Sequence, residues 1–247
     1  RTDRCREITQ VLSQEDHKES NMFKLNLNYV TMTRYDRSFK DIAVLFHKDN
    51  LRNTLGEVLS ENKKTQIRIA ETEKYPHVSF FFSGGREVPF SGEKRIMIPS
   101  PKVATYDLQA SMSAQEITDA IVSEIKNTPS DFICLNFANP DMVGHTGVYK
   151  AVIEALETVD FCAQQVVEAG LKQDYGFVII ADHGNADYMI NSDGSPNTAH
   201  STNPVPCFIL NTSYNEIKNG KLADVAPTIL KIMGITIPKE MNGNILV

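Results

Sequence analysis

The hydrophobic positions of this chain fall into short runs, some of period two and some recurring every three or four residues. Residues 2–12 have helical composition and lead into a polar loop at 13–21. Residues 25–34 alternate, with Tyr29, Val30, Thr31 and Thr33 as strand formers, and residues 41–47 read as a second extended piece. Near residue 48 the pattern changes. A helix is expected from Asn53, with Leu55, Val58 and Leu59 on one face. Strands are then expected at 65–70, 94–98, 132–137, 177–181 and 205–210, interleaved with helices at 75–82, 113–126, 148–172 and 222–233. Ser113-Ala-Gln-Glu116 opens one of these helices with a capping-box pattern. Such alternation predicts an α/β fold with one largely parallel sheet sandwiched by helices, and two domains, 1–47 and 48–247.

Composition narrows the class without naming a function. With 41% hydrophobic and 23% charged residues the chain is an ordinary globular sequence. Its 25 basic and 31 acidic residues leave a net charge of -6, which argues against nucleic acid or an anionic membrane as partner. An anionic substrate stays open, because a local cluster of cations or metal ions overrides the net charge. Cys5, Cys134, Cys162 and Cys207 form no CxxC pair and read as reduced thiols of a cytoplasmic protein, Cys134 and Cys207 as core residues. The sequence starts at Arg1 rather than at a methionine, so the expectation is a tail of something longer.

The chemistry collects where strands end. The run at 177–181 stops at Asp182-His183-Gly184, placing two metal-ligand types where an α/β sheet gathers its functional groups, with Gly184 permitting a sharp turn after them. After the strand at 132–137, Asp141 and His145 are four residues apart, so one helical turn would set both on one side. Taken singly, Asp141 reads sooner as a helix cap, Asp-His-Gly as turn chemistry and His200 as a surface histidine. Together, three of six histidines and two aspartates flank the strands of one predicted sheet. Five such ligands supply much of a two-metal centre suited to phosphoryl transfer. His17, His47 and His77 lack this company and read as structural or surface residues.

Asp141-Met-Val-Gly-His145-Thr-Gly147, Ala181-Asp-His-Gly-Asn185 and Thr198-Ala-His-Ser-Thr-Asn-Pro-Val-Pro206 resemble motifs of the cofactor-independent phosphoglycerate mutases, a family of the alkaline phosphatase superfamily. So do Ile69-Ala-Glu-Thr-Glu-Lys-Tyr75, Phe80-Phe-Phe-Ser-Gly-Gly85 and residues 99–108, and the resemblance runs the length of the chain. It implies that Asp141, His145 and His200 hold one divalent metal and that Asp182 and His183 contribute to a second. Mn²⁺ is expected, Zn²⁺ or Co²⁺ being alternatives, with no bisphosphoglycerate cofactor. Lys74 would contact the phosphoryl group, and Arg1 and Arg4 would form an Arg-x-Asp-Arg clamp on the substrate.

The same resemblance implies that 1–47 is the C-terminal remnant of a phosphotransferase (substrate-binding) domain. It makes 48–247 a phosphatase-like metal-binding domain without its N-terminal segment. The family's serine nucleophile has no counterpart in this sequence. The expected parent enzyme is a cytoplasmic monomer of glycolysis and gluconeogenesis that interconverts 3-phosphoglycerate and 2-phosphoglycerate through a phosphoserine. The chain alone is expected to be inactive, to need the N-terminal part of the same protein as its partner, and to expose a sheet edge. The alternatives are a phosphohydrolase or phosphopentomutase with the same metal core, or a metal-binding fragment without chemistry.

Overall fold

The computed structural model describes residues 2–46 and 51–247, and the chain divides into two compact units, Arg1–Asn50 and Leu51–Val247. In the first unit helix α1 (Thr2–Thr9) runs into a π-helical turn (Gln10–Gln14), and strands β1 (Tyr29–Thr33) and β2 (Ile42–Phe46) pair in parallel. The expected strand at 25–34 is therefore confined to its β-branched and aromatic end. His47 lies outside the described residues.

In the second unit helix α2 (Leu55–Glu61) precedes β3 (Gln66–Glu71), the centre of a three-stranded parallel sheet. Strand β4 (Glu93–Ile98) pairs one edge of β3. Helix α3 (Ala114–Asn127) then crosses over to β5 (Phe132–Leu135) on the other. All six residues of β3 are buried. Ile67 and Ile69 pack with Ile117, Ile121 and Ile125, which recur every fourth residue along α3, and with Ala169 of α5 (Tyr149–Leu171). Each such isoleucine, moved from water to a buried position, contributes about 1.5–3 kcal/mol. The opposite face of β3 is polar yet equally buried. There the Arg68 guanidinium is sandwiched between Phe82 and Phe132, at 4.2 and 5.1 Å from their ring centres.

The α/β class with largely parallel strand pairing is as expected, but four details need correction. The single sheet is not formed within this chain: β6 (Phe177–Ile180) and β7 (Cys207–Leu210) make a separate antiparallel pair. Among the described residues one edge of β5 and one edge of β6 have no strand partner. Cys207, expected in the core, is only partly buried, whereas burial pushes the Cys134 thiol pKa up as expected of a core residue, and Cys162 on the inner side of α5 is buried. Ser113 makes no capping bond; its hydroxyl donates to the Pro99 carbonyl and its N–H to Glu71. The last helix, α6 (Val225–Ile232), follows a 3-10 turn at Leu222–Asp224 instead of starting there. No helix among the described residues is long and apolar enough to cross a membrane.

Candidate metal centre

The C-terminal ends of β3, β5 and β6 supply the loops that carry the candidate residues. After β5 the chain enters a short helix, α4 (Asn139–Gly144), helped by Pro140 in its first turn. His145 caps α4 while still in right-handed helical conformation, so it lies over Asp141 one turn earlier. Its Nε2 is 3.1 Å from Asp141 Oδ1. His200 arrives from the loop before β7 and brings its Nε2 to 3.1 Å from the same oxygen and 3.2 Å from His145 Nε2. One carboxylate oxygen and two imidazole nitrogens, all within 4.8 Å of one another, thus converge on one point. The Thr198 carbonyl lies 2.8 Å from His145 Nδ1 and can only accept, so the ring proton sits on Nδ1 and Nε2 presents its lone pair. This donor set fits a divalent ion such as Mn²⁺, Co²⁺ or Zn²⁺.

Asp141 does not cap a helix. Lys74, nearly buried at the end of the β3 loop, donates Nζ to Oδ2, and Asn185 donates Nδ2 to Oδ1 at 2.7 Å. Burial by itself would push this carboxyl up. The hydrogen bonds from Lys74 and Asn185, with the charge of Lys74, outweigh it and hold the pKa down to about 2. Asp141 is therefore an anion at any physiological pH, as a metal ligand must be.

Asp182 and His183 follow β6 as expected, but their ligand atoms do not join the clustered trio. His183 stacks on His200, with ring centres 3.7 Å apart, and its Nε2 is 3.6 Å from Asp182 Oδ2. The loop that carries them is tied to the His200 loop. Ser201 N–H donates to the Gly184 carbonyl at 2.9 Å, and Asp187 accepts from Ser201 Oγ and Asn203 Nδ2 at 2.8 and 2.6 Å. Gly184 is required by space and not by a left-handed turn: a Cβ there would sit 2.1 Å from Ser201 Oγ. His77 packs instead against Phe81, with ring centres 5.5 Å apart. The clamp expected from Arg1 and Arg4 involves a residue and a side chain outside those described. Sequence reasoning missed Asn185 and Asp187 as members of the site; both lie in or beside the Asp182 motif, which was the one signal available.

The family model described as Metalloenzyme superfamily matches residues 6–237. The chain belongs to the metalloenzyme superfamily. Its relatives in that superfamily include the 2,3-bisphosphoglycerate-independent phosphoglycerate mutase of Flavobacterium johnsoniae, 59% identical over 98% of this chain and 48% of that protein. The mutase of Bacteroides thetaiotaomicron is 55% identical over 100% of the chain and 49% of that protein. Among solved structures, Leishmania mexicana phosphoglycerate mutase at low cobalt concentration superposes with a TM-score of 0.81 at 25% identity, over 98% of this chain and 48% of that one. This metalloenzyme chain thus spans about half the length of the relatives it matches, and it shares the α/β fold of the Leishmania structure.

Proposed function

We propose that the chain is the C-terminal part of a 2,3-bisphosphoglycerate-independent phosphoglycerate mutase. The whole protein would interconvert 3-phosphoglycerate and 2-phosphoglycerate, a step of glycolysis and gluconeogenesis. The observation that carries this reading is the 59% identity to a protein of that name over 98% of the chain. In the proposed site Asp141, His145 and His200 hold one ion, and Asp182 and His183 contribute to a second. Mn²⁺ is the proposed metal, with Co²⁺ and Zn²⁺ compatible with the same ligands. Bound there, such ions make a hydroxyl nucleophilic near neutral pH and offset charge on the phosphoryl oxygens.

Lys74 adds a fixed positive charge beside Asp141, where the phosphoryl group would pass. Arg1 and Arg4 are proposed to grip the substrate's anionic groups with paired hydrogen bonds. The phosphoryl acceptor is proposed to be a serine in the part of the protein that this chain does not span. As its Oγ–P bond forms, the substrate P–O bond breaks and the serine proton passes, by way of a base, to the departing glycerate oxygen; the reverse transfer to the neighbouring glycerate hydroxyl, whose proton returns to the serine, completes the isomerisation. The two compact units support assigning 1–47 to a phosphotransferase domain and 48–247 to the metal-binding domain. The unpaired edges of β5 and β6, with Ile179 and Ile180 exposed, support a further strand supplied by the rest of the protein.

In a Mn²⁺-containing assay without bisphosphoglycerate, the full-length protein is expected to form 2-phosphoglycerate from 3-phosphoglycerate. The 247-residue chain, verified by intact mass, is expected to form none. Turnover by the chain alone refutes the fragment reading. Release of inorganic phosphate without 2-phosphoglycerate by the full-length protein refutes the mutase in favour of a phosphohydrolase.

A further inference from the structure

Asn185 is 4% exposed and is placed as no ordinary loop asparagine would be. It follows the Asp182-His183-Gly184 turn, yet its carboxamide reaches across to α4. Nδ2 donates to both the Asp141 carbonyl, at 3.1 Å, and Asp141 Oδ1, at 2.7 Å. Its own Oδ1 is buried without a hydrogen-bond partner, so the side chain is held by donation alone. The close approach depends on Gly144: a Cβ at that position would lie 2.5 Å from Asn185 Oδ1 and 2.8 Å from its Cγ. Asp141 Oδ1 is also the oxygen that faces both imidazole nitrogens. With Lys74 on Oδ2 and Asn185 on Oδ1, both carboxylate oxygens are fixed, and the remaining lone pair of Oδ1 is aimed between His145 and His200.

We propose that Asn185 is a positioning residue of the metal centre. It orients the Asp141 ligand oxygen, and because it shares a loop with Asp182 and His183 it ties the second ligand pair rigidly to the first. The inference rests on the reading of Asp141, His145 and His200 as a metal site. A leucine keeps the branched heavy-atom skeleton, at a larger volume, and removes both donated hydrogen bonds; an alanine removes the side chain beyond Cβ without crowding the site. A carboxylate cannot substitute, since Asn185→Asp would set a second anion against Asp141.

The test is Mn²⁺ affinity of the full-length protein, read by calorimetry and by the electron paramagnetic resonance of bound Mn²⁺. Asn185→Leu and Asn185→Ala are expected to weaken binding about 10- to 100-fold and to alter the spectrum of whatever Mn²⁺ remains bound, the scale at which outer-shell partners act. Gly144→Ala, which wedges the carboxamide away while leaving Asn185 in place, is expected to act in the same direction. Wild-type affinity and spectrum in folded N185L or N185A overturn the proposal. A measurement on the unmutated protein covers the case in which the variants do not fold: on titration with diamagnetic Zn²⁺, the Asn185 side-chain amide resonances are expected to move with the first equivalent bound, and unmoved resonances overturn it. If the wild-type protein binds no divalent ion, the metal-centre reading itself fails; if wild type binds and N185L binds equally, only the role of Asn185 fails.

Discussion

Replacing Glu71 by glutamine should raise stability at alkaline pH and change little at acid pH. Glu71 ends β3 with its side chain fully buried; one carboxyl oxygen accepts the Ser113 N–H at 3.0 Å and the other has no partner. Burial pushes its pKa up to about 7 from 4.5, against the Ser113 hydrogen bonds, and the neighbouring Glu73 and Glu116 charges add to the rise. An acid whose pKa is raised on folding holds its proton in the native state while the unfolded chain has already released it. Stability is therefore lost as pH rises from about 4.5 to about 7 and is constant above that. The full span corresponds to about 3 kcal/mol, and about 2 kcal/mol of it falls between roughly pH 5.5 and pH 8. Glutamine mimics the protonated acid and keeps the bond to Ser113, so this pH-dependent loss should vanish. Urea denaturation of wild type and E71Q at those two pH values measures it. A wild-type-minus-variant difference that stays flat with pH, or that grows as pH falls, refutes the reasoning.

His145→Ala removes a ligand nitrogen outright, so Mn²⁺ affinity should fall by more than the roughly 10- to 100-fold carried by outer partners, and the rise in thermal midpoint on adding Mn²⁺ should disappear. Retained Mn²⁺ stabilisation in H145A would count against the trio. In Gly184→Ala the new Cβ meets Ser201 and Asp187, so the two ligand loops must part; the expected cost is about 1–3 kcal/mol in thermal or chemical denaturation, with a wild-type midpoint as the contrary result. Ile121→Ala opens a cavity between α3 and β3, where Ile121 is 0% exposed, and should cost about 2–5 kcal/mol; a loss under about 1 kcal/mol would mean the site collapses freely.

What the amino-acid order by itself determined is local. Ile117, Ile121 and Ile125 share an apolar face in a helix, whereas a strand would put Asp119 and Ser123 on that face with them, and the run Phe177-Val-Ile-Ile180, apolar and mostly β-branched, reads as a strand. Asp141 and His145, four apart after a strand, meet because the chain between them is helical, a geometry that sequence spacing alone encodes. The residue types of Asp182, His183 and His200 were equally visible as candidate ligands, and the resemblance they carry pointed to the same metalloenzyme relatives. Tertiary structure decided the rest, because the deciding contacts join residues far apart in sequence. Strand pairing is one case: β6 turns to β7 in antiparallel register, leaving edges open where alternation alone suggested one continuous sheet. Ser113 has the sequence of a cap, but the Pro99 carbonyl and Glu71 compete for its hydroxyl and N–H and win. Gly184 was legible as a glycine that turns and proves to be a glycine that makes room. Asn185 was present in the motif from the start, but its purpose depends on a carboxylate 44 residues away, and no periodicity reports a hydrogen bond of that reach.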